Sequence, residues 1–218
     1  AGSKGTMGHS LSGGYSRSDG ATDNSDYSNT HIFYQGQYTG NDIRVDAQLG
    51  YSYKPYGANT FYGASSTDQL ESNERFLAAV KAEAVAGKVH ILPQVYWNRW
   101  NDHYQWHRNV SPGGENFHQV DVYGMAVNSW FQSSWGKTSF GAELRSDAIW
   151  STNLGEPLAE DAYRNTAGYD GTDERQYTKY AQRTNISAFV EHDILLRDWT
   201  VSLGLLANNN TGLDEKWR

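Results

Sequence analysis

The sequence predicts an all-β fold, an antiparallel up-and-down sheet of about nine or ten strands that forms part of the wall of a larger transmembrane β-barrel. Three observations lead to this prediction. Apolar and polar residues alternate with a period of two wherever the sequence is not loop-like. Tight turns and long polar segments follow one another in strict order. No apolar run approaches the roughly 18 residues that a membrane helix needs, so a membrane location would require strands.

The composition is rich in aromatic residues and polar overall. The 218 residues include 15 Tyr, 8 Trp and 22 Gly but only 4 Pro, and the mean hydropathy is -0.74. Barrel strands that alternate apolar and polar residues average to such a hydrophilic composition, whereas a soluble core would draw more on Leu, Ile and Val. A net charge of -7 argues against a nucleic-acid partner. The absence of cysteine excludes disulfides and thiolate metal sites.

Alternation is clearest in residues 42–53, where one face is apolar or aromatic and the other is polar. The apolar face carries Ile43, Val45, Ala47, Leu49, Tyr51 and Tyr53. Later segments predict lipid-facing side chains at Phe76, Ala78, Val80, Ala82, Val89, Ile91, Val95, Trp97, Met125, Val127, Phe131, Phe140, Ala142, Leu144, Ile186, Ala188, Val190, Val201, Leu203 and Leu205. The residues predicted to face the lumen include Asp46, Lys81, Glu83, Glu143, Arg145 and Glu191.

The breaks between strands are alternately short and long. Tight turns with Gly, Asn or Asp fall at 39–42, 85–88, 134–137 and 196–199. Polar segments fall at 19–27, 54–73, 99–117, 146–181 and 208–216. This order places the tight turns at the periplasmic end of a barrel and the long loops at its extracellular end. Segment 71–86 is rich in helix formers, but a helix there would leave the strand at Lys88 without its hairpin partner. A soluble all-β fold is the alternative.

Four stretches of the chain carry a family resemblance: FYQGQYTGNDIRVDAQLGYS (33–52), YGANTFYGASSTDQLESNERF (56–76), GKTSFGAELRSDAIWSTNLG (136–155) and RTNISAFVEHDILLRDWTVSLGLLANNNTGLDEKWR (183–218). They resemble TonB-dependent outer-membrane receptors, in particular the cobalamin-receptor-like branch of Bacteroides-type bacteria. The resemblance implies that residues 1–218 form one partial barrel domain of a plugged barrel with about 22 strands. The plug domain, the TonB-binding box and the closing strands are not among the residues that match.

The resemblance further implies active uptake of a scarce, bulky small molecule across the outer membrane, energised by the TonB complex. Cobalamin or another corrinoid is the first candidate. An iron–siderophore or haem receptor of the same family is the alternative, and a complete small barrel that acts as an adhesin is a third. The expected surroundings are outer-membrane lipid and a surface lipoprotein partner.

Aromatic residues of the long segments are the candidate ligand-binding residues: Tyr104, Trp106, Trp150, Tyr163 and Tyr169. Exposed aromatic side chains favour recognition of flat ligands and of partner proteins. The alternative is an aromatic girdle at the lipid–water boundary, which suits Trp97 and Trp100 best.

The segment DGATDNSD predicts a calcium site at Asp19, Asp23 and Asp26, because dense carboxylates provide the oxygen ligands that Ca²⁺ requires. A turn-forming cluster is the alternative. His103 and His107 are expected to be solvated loop residues. The sequence has no nucleophile elbow and no phosphate-binding glycine loop, so we predict no catalytic residues and no enzyme activity.

Overall fold

The computed structural model describes residues 2–108, 114–166 and 175–212. Nearly all strands belong to one antiparallel sheet in which consecutive long strands are neighbours. The strands are β1 (Gly2–Lys4), β2 (Met7–Ser18), β3 (Tyr27–Thr39), β4 (Ile43–Gly57), β5 (Leu70–Ala86), β6 (Val89–Gln105), β7 (Glu115–Ser133), β8 (Gly136–Ser151), β9 (Glu156–Pro157), β10 (Arg164–Asn165), β11 (Gln176–Tyr177), β12 (Lys179–Leu195) and β13 (Thr200–Asn210).

The sheet order runs from β1 to β8 and continues with β12 and β13, so the predicted up-and-down topology is confirmed. Strand β9 pairs with β12, and β10 and β11 form a separate hairpin. A 3₁₀ helix covers Glu160–Ala162. No helix among the described residues is long and apolar enough to cross a membrane.

All four tight turns lie where the sequence predicted them, and segment 71–86 is a strand rather than a helix. The predicted loop bounds were too wide, however. Strand β4 continues to Gly57, β5 begins at Leu70 and β6 continues to Gln105. These strand ends carry polar residues on both faces, so they lack the alternation from which strands are recognised.

The cross-strand register aligns the predicted lipid-facing residues into rows on one face. One such row is Ala47, Val80, Val95, Met125, Leu144 and Ile186. The register thus places these residues on one face, as predicted, and Leu49, Val95 and Met125 of that face are 55%, 53% and 56% exposed. On β4 this apolar band extends from Ile43 to Tyr51, close to the 9–11 residues that a membrane-spanning strand requires.

The opposite face, which we call the lumen face, is polar near the tight turns. Its row there is Gln37, Asp46, Lys81, Gln94, Ala126 and Glu143, which confirms the predicted inward position of the charged residues. The Tyr96 hydroxyl donates a hydrogen bond to Glu143 Oε1 at a distance of 3.0 Å. Its ring crosses over Gly124, where any added side chain would collide with it.

Buried residues concentrate at the end of the sheet that carries the long loops. Gln69 and Ser151 are fully buried there, and Phe117 and Tyr177 are nearly so. This end has a packed interior, which the part of the sheet with the apolar band largely lacks, so it can hold side chains in fixed positions.

Candidate functional site

Two rows of polar and aromatic side chains cross the lumen face at its loop end. The first row is Lys54, Asn73, Asp102, His118 and Ser151. The second row is Tyr56, Glu71, Tyr104 and Asn116. On β6 the apolar band ends at Trp97, and Asp102 follows about 16 Å further along the strand, at 3.3 Å per residue. Both rows therefore lie outside the membrane-spanning part of the sheet.

A polar cavity of about 370 Å³ lies against these rows, and we call it the upper cavity. Its walls include Lys54, Tyr56, Glu71, Asn73, Arg75 and Trp100. The Arg75 guanidinium lies over the Trp100 ring at 5.3 Å, and the Lys54 ammonium lies over the Tyr56 ring at 5.3 Å. Two cations are thus held on aromatic rings inside one cavity.

A second cavity of about 500 Å³ lies directly below, nearer the middle of the sheet, and we call it the lower cavity. Its apolar walls on the lumen face come from Phe33, Gly50, Leu77, Trp100, Val120 and Val122. Arg75, Ser52 and Trp100 line both cavities, so the two spaces adjoin each other along these residues. A volume of this size is typical of small-molecule sites.

Two carboxyl groups adjoin each other at the top of the upper cavity. Glu71 is 7% exposed and accepts hydrogen bonds from the Tyr62 hydroxyl at 2.5 Å and from Asn73 Nδ2 at 2.8 Å. Burial, and then the neighbouring negative charge of Glu71, raise the pKa of Asp102 to about 7. Burial and the contact with Glu71 also raise the pKa of Tyr62. A fraction of the Asp102 side chains is therefore neutral near pH 7.

Four aromatic side chains from two loops and one strand end form a cluster at the rim: Phe61, Tyr62, Tyr104 and Trp106. The Tyr62 and Tyr104 rings meet edge to face at 5.0 Å, and the Tyr104 and Trp106 rings lie 6.3 Å apart. Phe61 is 70% exposed and Trp106 is 46% exposed. The structure thus brings together the predicted pair Tyr104 and Trp106 and adds Phe61 and Tyr62, which the sequence analysis missed.

An ion pair joins the loop between β2 and β3 to the segment that follows Trp106 of this cluster. Arg108 contacts both oxygens of Asp26, with 2.9 Å between Nη2 and Oδ2, and its Nη1 also donates to Asn24 Oδ1. Asn24 Nδ2 in turn donates to the backbone oxygens of Thr67 and Gln69. The hydrogen bond from Arg108 lowers the pKa of Asp26. We call this arrangement the loop clasp, and it fixes the rim.

The three aspartates of the predicted calcium site do not converge in this arrangement. Asp19 pairs with Arg17 and Asp26 with Arg108. In the described residues, no three His, Cys, Asp or Glu side chains are grouped so as to hold a metal ion. Calcium binding at Asp19, Asp23 and Asp26 stays a prediction that requires both ion pairs to open.

Trp150 lies on the outer face of the sheet, away from Tyr104. Its ring contacts that of Tyr180 at 4.6 Å, and the Arg164 guanidinium lies 3.6 Å from its centre. The structure therefore does not bring Trp150 into the site at the lumen face. Tyr163 is half-buried and directly precedes Arg164 on the same loop. Tyr169 lies outside the described residues.

Two further expectations from the sequence are corrected by strand β6. Trp100 is on the lumen face and not in an aromatic girdle on the outer face, because its cross-strand partner on β5 is Arg75, which is on the lumen face. His103 is 4% exposed within the strand and stacks on Phe117 at 4.2 Å, so it is not a solvated loop residue. Extending the alternation past Phe76 and Trp97 would have placed Arg75 and Trp100 on the lumen face.

Comparison with known proteins supports the fold but not a family. No protein-family model matches the sequence, and no curated protein sequence does. BauA, the ferric preacinetobactin receptor from Acinetobacter baumannii, matches with a TM-score of 0.57 and 11% identity over 94% of this chain and 38% of its own. The outer membrane transporter YddB from Escherichia coli matches with a TM-score of 0.54 and 11% identity over 94% of this chain and 34% of its own.

The chain thus spans well under half the length of these two proteins. The likeness confirms the predicted fold, the antiparallel wall of an outer-membrane barrel. In outer-membrane barrels the apolar band is on the outward face, which contacts lipid. The exposed apolar band of this wall is therefore its lipid-facing side.

Proposed function

We propose that this chain is a segment of the barrel wall of a TonB-dependent outer-membrane receptor that takes up a scarce, bulky nutrient. The observation that supports this function best is the pair of adjoining cavities on the lumen face beneath an exposed aromatic cluster. A ligand that arrives from outside meets the aromatic rim first and the cavities next. Exposed aromatic rings at the loop end offer stacking surfaces to a flat ligand.

Cobalamin or another corrinoid is the first substrate that we propose, and the resemblance of the sequence is its basis. An iron–siderophore complex is the second, and it is favoured by the fold likeness to a ferric preacinetobactin receptor. Both are bulky molecules with flat conjugated groups. In either case the receptor would draw energy from the TonB complex through parts of the protein outside residues 1–218.

A surface lipoprotein is the partner that we propose for the outermost aromatic side chains. Phe61 and Trp106 project from the rim and are 70% and 46% exposed. Exposed aromatic residues are enriched at protein interfaces. An adhesin would use the same surface for attachment alone, without transport, and this difference separates the two functions.

Uptake measured in the host bacterium tests the proposal. A strain without the complete gene is compared with the same strain after complementation, using labelled cyanocobalamin and a labelled ferric siderophore, each with and without a protonophore. We expect the complemented strain to accumulate one of the two, and the protonophore to abolish this accumulation. Accumulation that is the same with and without the gene, and with and without the protonophore, would contradict transport. Attachment of the ligand to the cell surface without accumulation would favour an adhesin.

Substitutions in the aromatic cluster test whether the ligand binds there. Tyr62→Ala and Trp106→Ala should each weaken the apparent affinity of uptake by about tenfold, the value of one or two lost aromatic contacts. Trp135→Ala is the matched control, because Trp135 is 81% exposed in the tight turn between β7 and β8, at the opposite end of the sheet. If all three changes had equal effects on the apparent affinity, the aromatic cluster would have no specific role in ligand binding.

A further inference from the structure

The chemistry of the two cavities indicates what kind of ligand they accept. This step rests on the proposed function and concerns the same site. The lower cavity is apolar although it lies on the lumen face, which in membrane barrels is usually polar. Phe33, Leu77 and Val122 form its walls in one cross-strand region, with Gly50 between Phe33 and Leu77.

Gly50 gives the lower cavity its floor. A Cβ added at Gly50 would lie 3.4 Å from both Leu77 and Phe33, so any larger side chain would extend into the space between them. The lower cavity therefore depends on the absence of a side chain at Gly50. Its volume of about 500 Å³ can hold a ring system.

Two cations beside this space have no acidic partner among the residues that the structure describes. Within the described residues, neither Arg75 nor Lys54 takes part in an ion pair. Other arginines of the lumen face do: Arg44 pairs with Asp46, and both Arg145 and Arg183 pair with Asp147. Arg75 and Lys54 instead rest on aromatic rings, and both line the upper cavity.

Glu71, the acidic residue among the described walls of the upper cavity, is already engaged. The Glu71 carboxylate is turned towards Tyr62 and Asn73, which donate to its two oxygens. Lys54 and Arg75 therefore remain available to an incoming anion. A guanidinium is suited to this task, because its donors match the two oxygens of a carboxylate or the oxygens of a phosphate or sulfonate.

We propose that the ligand of this site is an amphipathic anion, whose apolar ring-bearing part occupies the lower cavity and whose acidic group pairs with Arg75 and Lys54. Charge complementarity and the position of Arg75 on the wall shared by both cavities support this assignment. A neutral ligand and an apolar protein segment are the competing occupants.

A pair of matched probes tests the assignment on the full-length protein in detergent. The anionic probe is 8-anilinonaphthalene-1-sulfonate, and the neutral probe is N-phenyl-1-naphthylamine, which has the same ring system without the sulfonate. Fluorescence titration gives a Kd for each after subtraction of the micelle signal. We expect the wild-type protein to bind the anionic probe more tightly than the neutral one.

Variants separate the two halves of the site. Arg75→Gln should raise the Kd of the anionic probe about tenfold, as expected for the loss of one charged hydrogen-bonding partner, and should leave that of the neutral probe unchanged. Arg75→Lys keeps the charge but not the paired donors, so its anionic affinity should lie between those of the wild type and Arg75→Gln. Leu77→Asn should weaken both probes. Arg44→Gln is the control for a lumen arginine outside the site and should change neither.

Equal affinity of the wild-type protein for both probes, binding of neither probe, or an Arg75→Gln variant with unchanged anionic affinity would overturn the assignment. The first two outcomes need no variant, so they stand even if a substitution prevents folding. If uptake still requires the gene and the protonophore still abolishes it, the assignment has failed while the proposed function stands. If the protein prefers the anionic probe but no uptake depends on the gene, the proposed function has failed while the assignment of the ligand class stands.

Discussion

Replacing Leu49 with arginine places a charge on the outer face near the middle of the bilayer. Leu49 is 55% exposed and lies between Tyr34 and Ala78 on neighbouring strands. It follows Ile43 by about 20 Å along β4, or about 15 Å in depth for a strand tilted by about 40°. Leu49 therefore lies inside the apolar band of β4, two residues beyond its middle residue Ala47 and within about 5 Å of the midplane.

The expected cost follows from that depth. Arginine at the midplane of a barrel costs about 2–4 kcal/mol, which lowers the folding equilibrium constant by about 30- to 1,000-fold. Gln48→Arg is the matched control, since Gln48 faces the lumen beside Gln35 and Ala79 and lines a polar cavity with Asp46. We expect that change to stay within about 0.5 kcal/mol, as for most exposed positions.

Urea unfolding of the full-length protein in lipid vesicles, read from the heat-dependent mobility of the folded barrel in a gel, measures both variants. Leu49→Arg should shift the midpoint strongly or prevent assembly, while Gln48→Arg should resemble the wild type. Equal shifts would refute the assignment of the two faces.

Two further predictions concern the loops. A tag inserted at 156–161 should be reached by antibody on intact cells and one at Gly87 should not, since the long loops and the tight turns lie at opposite ends of the sheet; antibody bound at Gly87 would reverse the orientation. The loop clasp should depend on pH, because Arg108 lowers the pKa of Asp26 below its ordinary 3.8. Its stabilisation is complete above that ordinary value and is lost as pH falls through the lowered pKa. Hydrogen exchange in loop 19–26, corrected for the intrinsic rate, should accelerate only at that acidic limit, and Arg108→Ala should accelerate it at all pH values; exchange insensitive to both would show that the clasp does not hold the loop.

The membrane-spanning part of the fold was predictable because one constraint governs it. Lipid on one face and water on the other impose a period of two, so the positions of Leu49, Val95 and Met125 could be assigned from the sequence alone. The tight turns were also predictable, since they require residues such as Gly87, which adopts a φ of 65°.

The loop end was not predictable in the same way. Beyond the apolar band both faces are polar, so the ends of β4 and β6 resembled loops. The loop clasp joins Asp26 and Arg108, which are 82 residues apart in sequence, and no local pattern indicates such a contact. Trp150 lies on the outer face because it is evenly spaced from Leu144 on β8, and Arg164 of the loop between β8 and β12 stacks on it there.

Part of the candidate site was within reach of the sequence. Tyr104 and Trp106 were predicted as ligand-binding residues and lie together at the rim. Arg75 and Trp100 could have been placed on the lumen face by continuing the alternation. Their stacking, and the lack of an acidic partner for Arg75 in the described part of the chain, required the structure because they depend on side-chain contacts across strands.

Cysteine labelling tests the central claim, that a nutrient taken up by this barrel is bound at the lumen face of its loop end. The chain has no cysteine, so single substitutions add no background from these residues. Trp100→Cys and Val95→Cys lie on the same strand and face the lumen cavity and lipid respectively. With a membrane-impermeant maleimide on intact cells, we predict that Trp100→Cys is labelled, that the transported nutrient at saturation slows this labelling several-fold, and that Val95→Cys is not labelled. Labelling of Val95→Cys at the same rate, or labelling of Trp100→Cys that a transported nutrient leaves unchanged, would contradict the account.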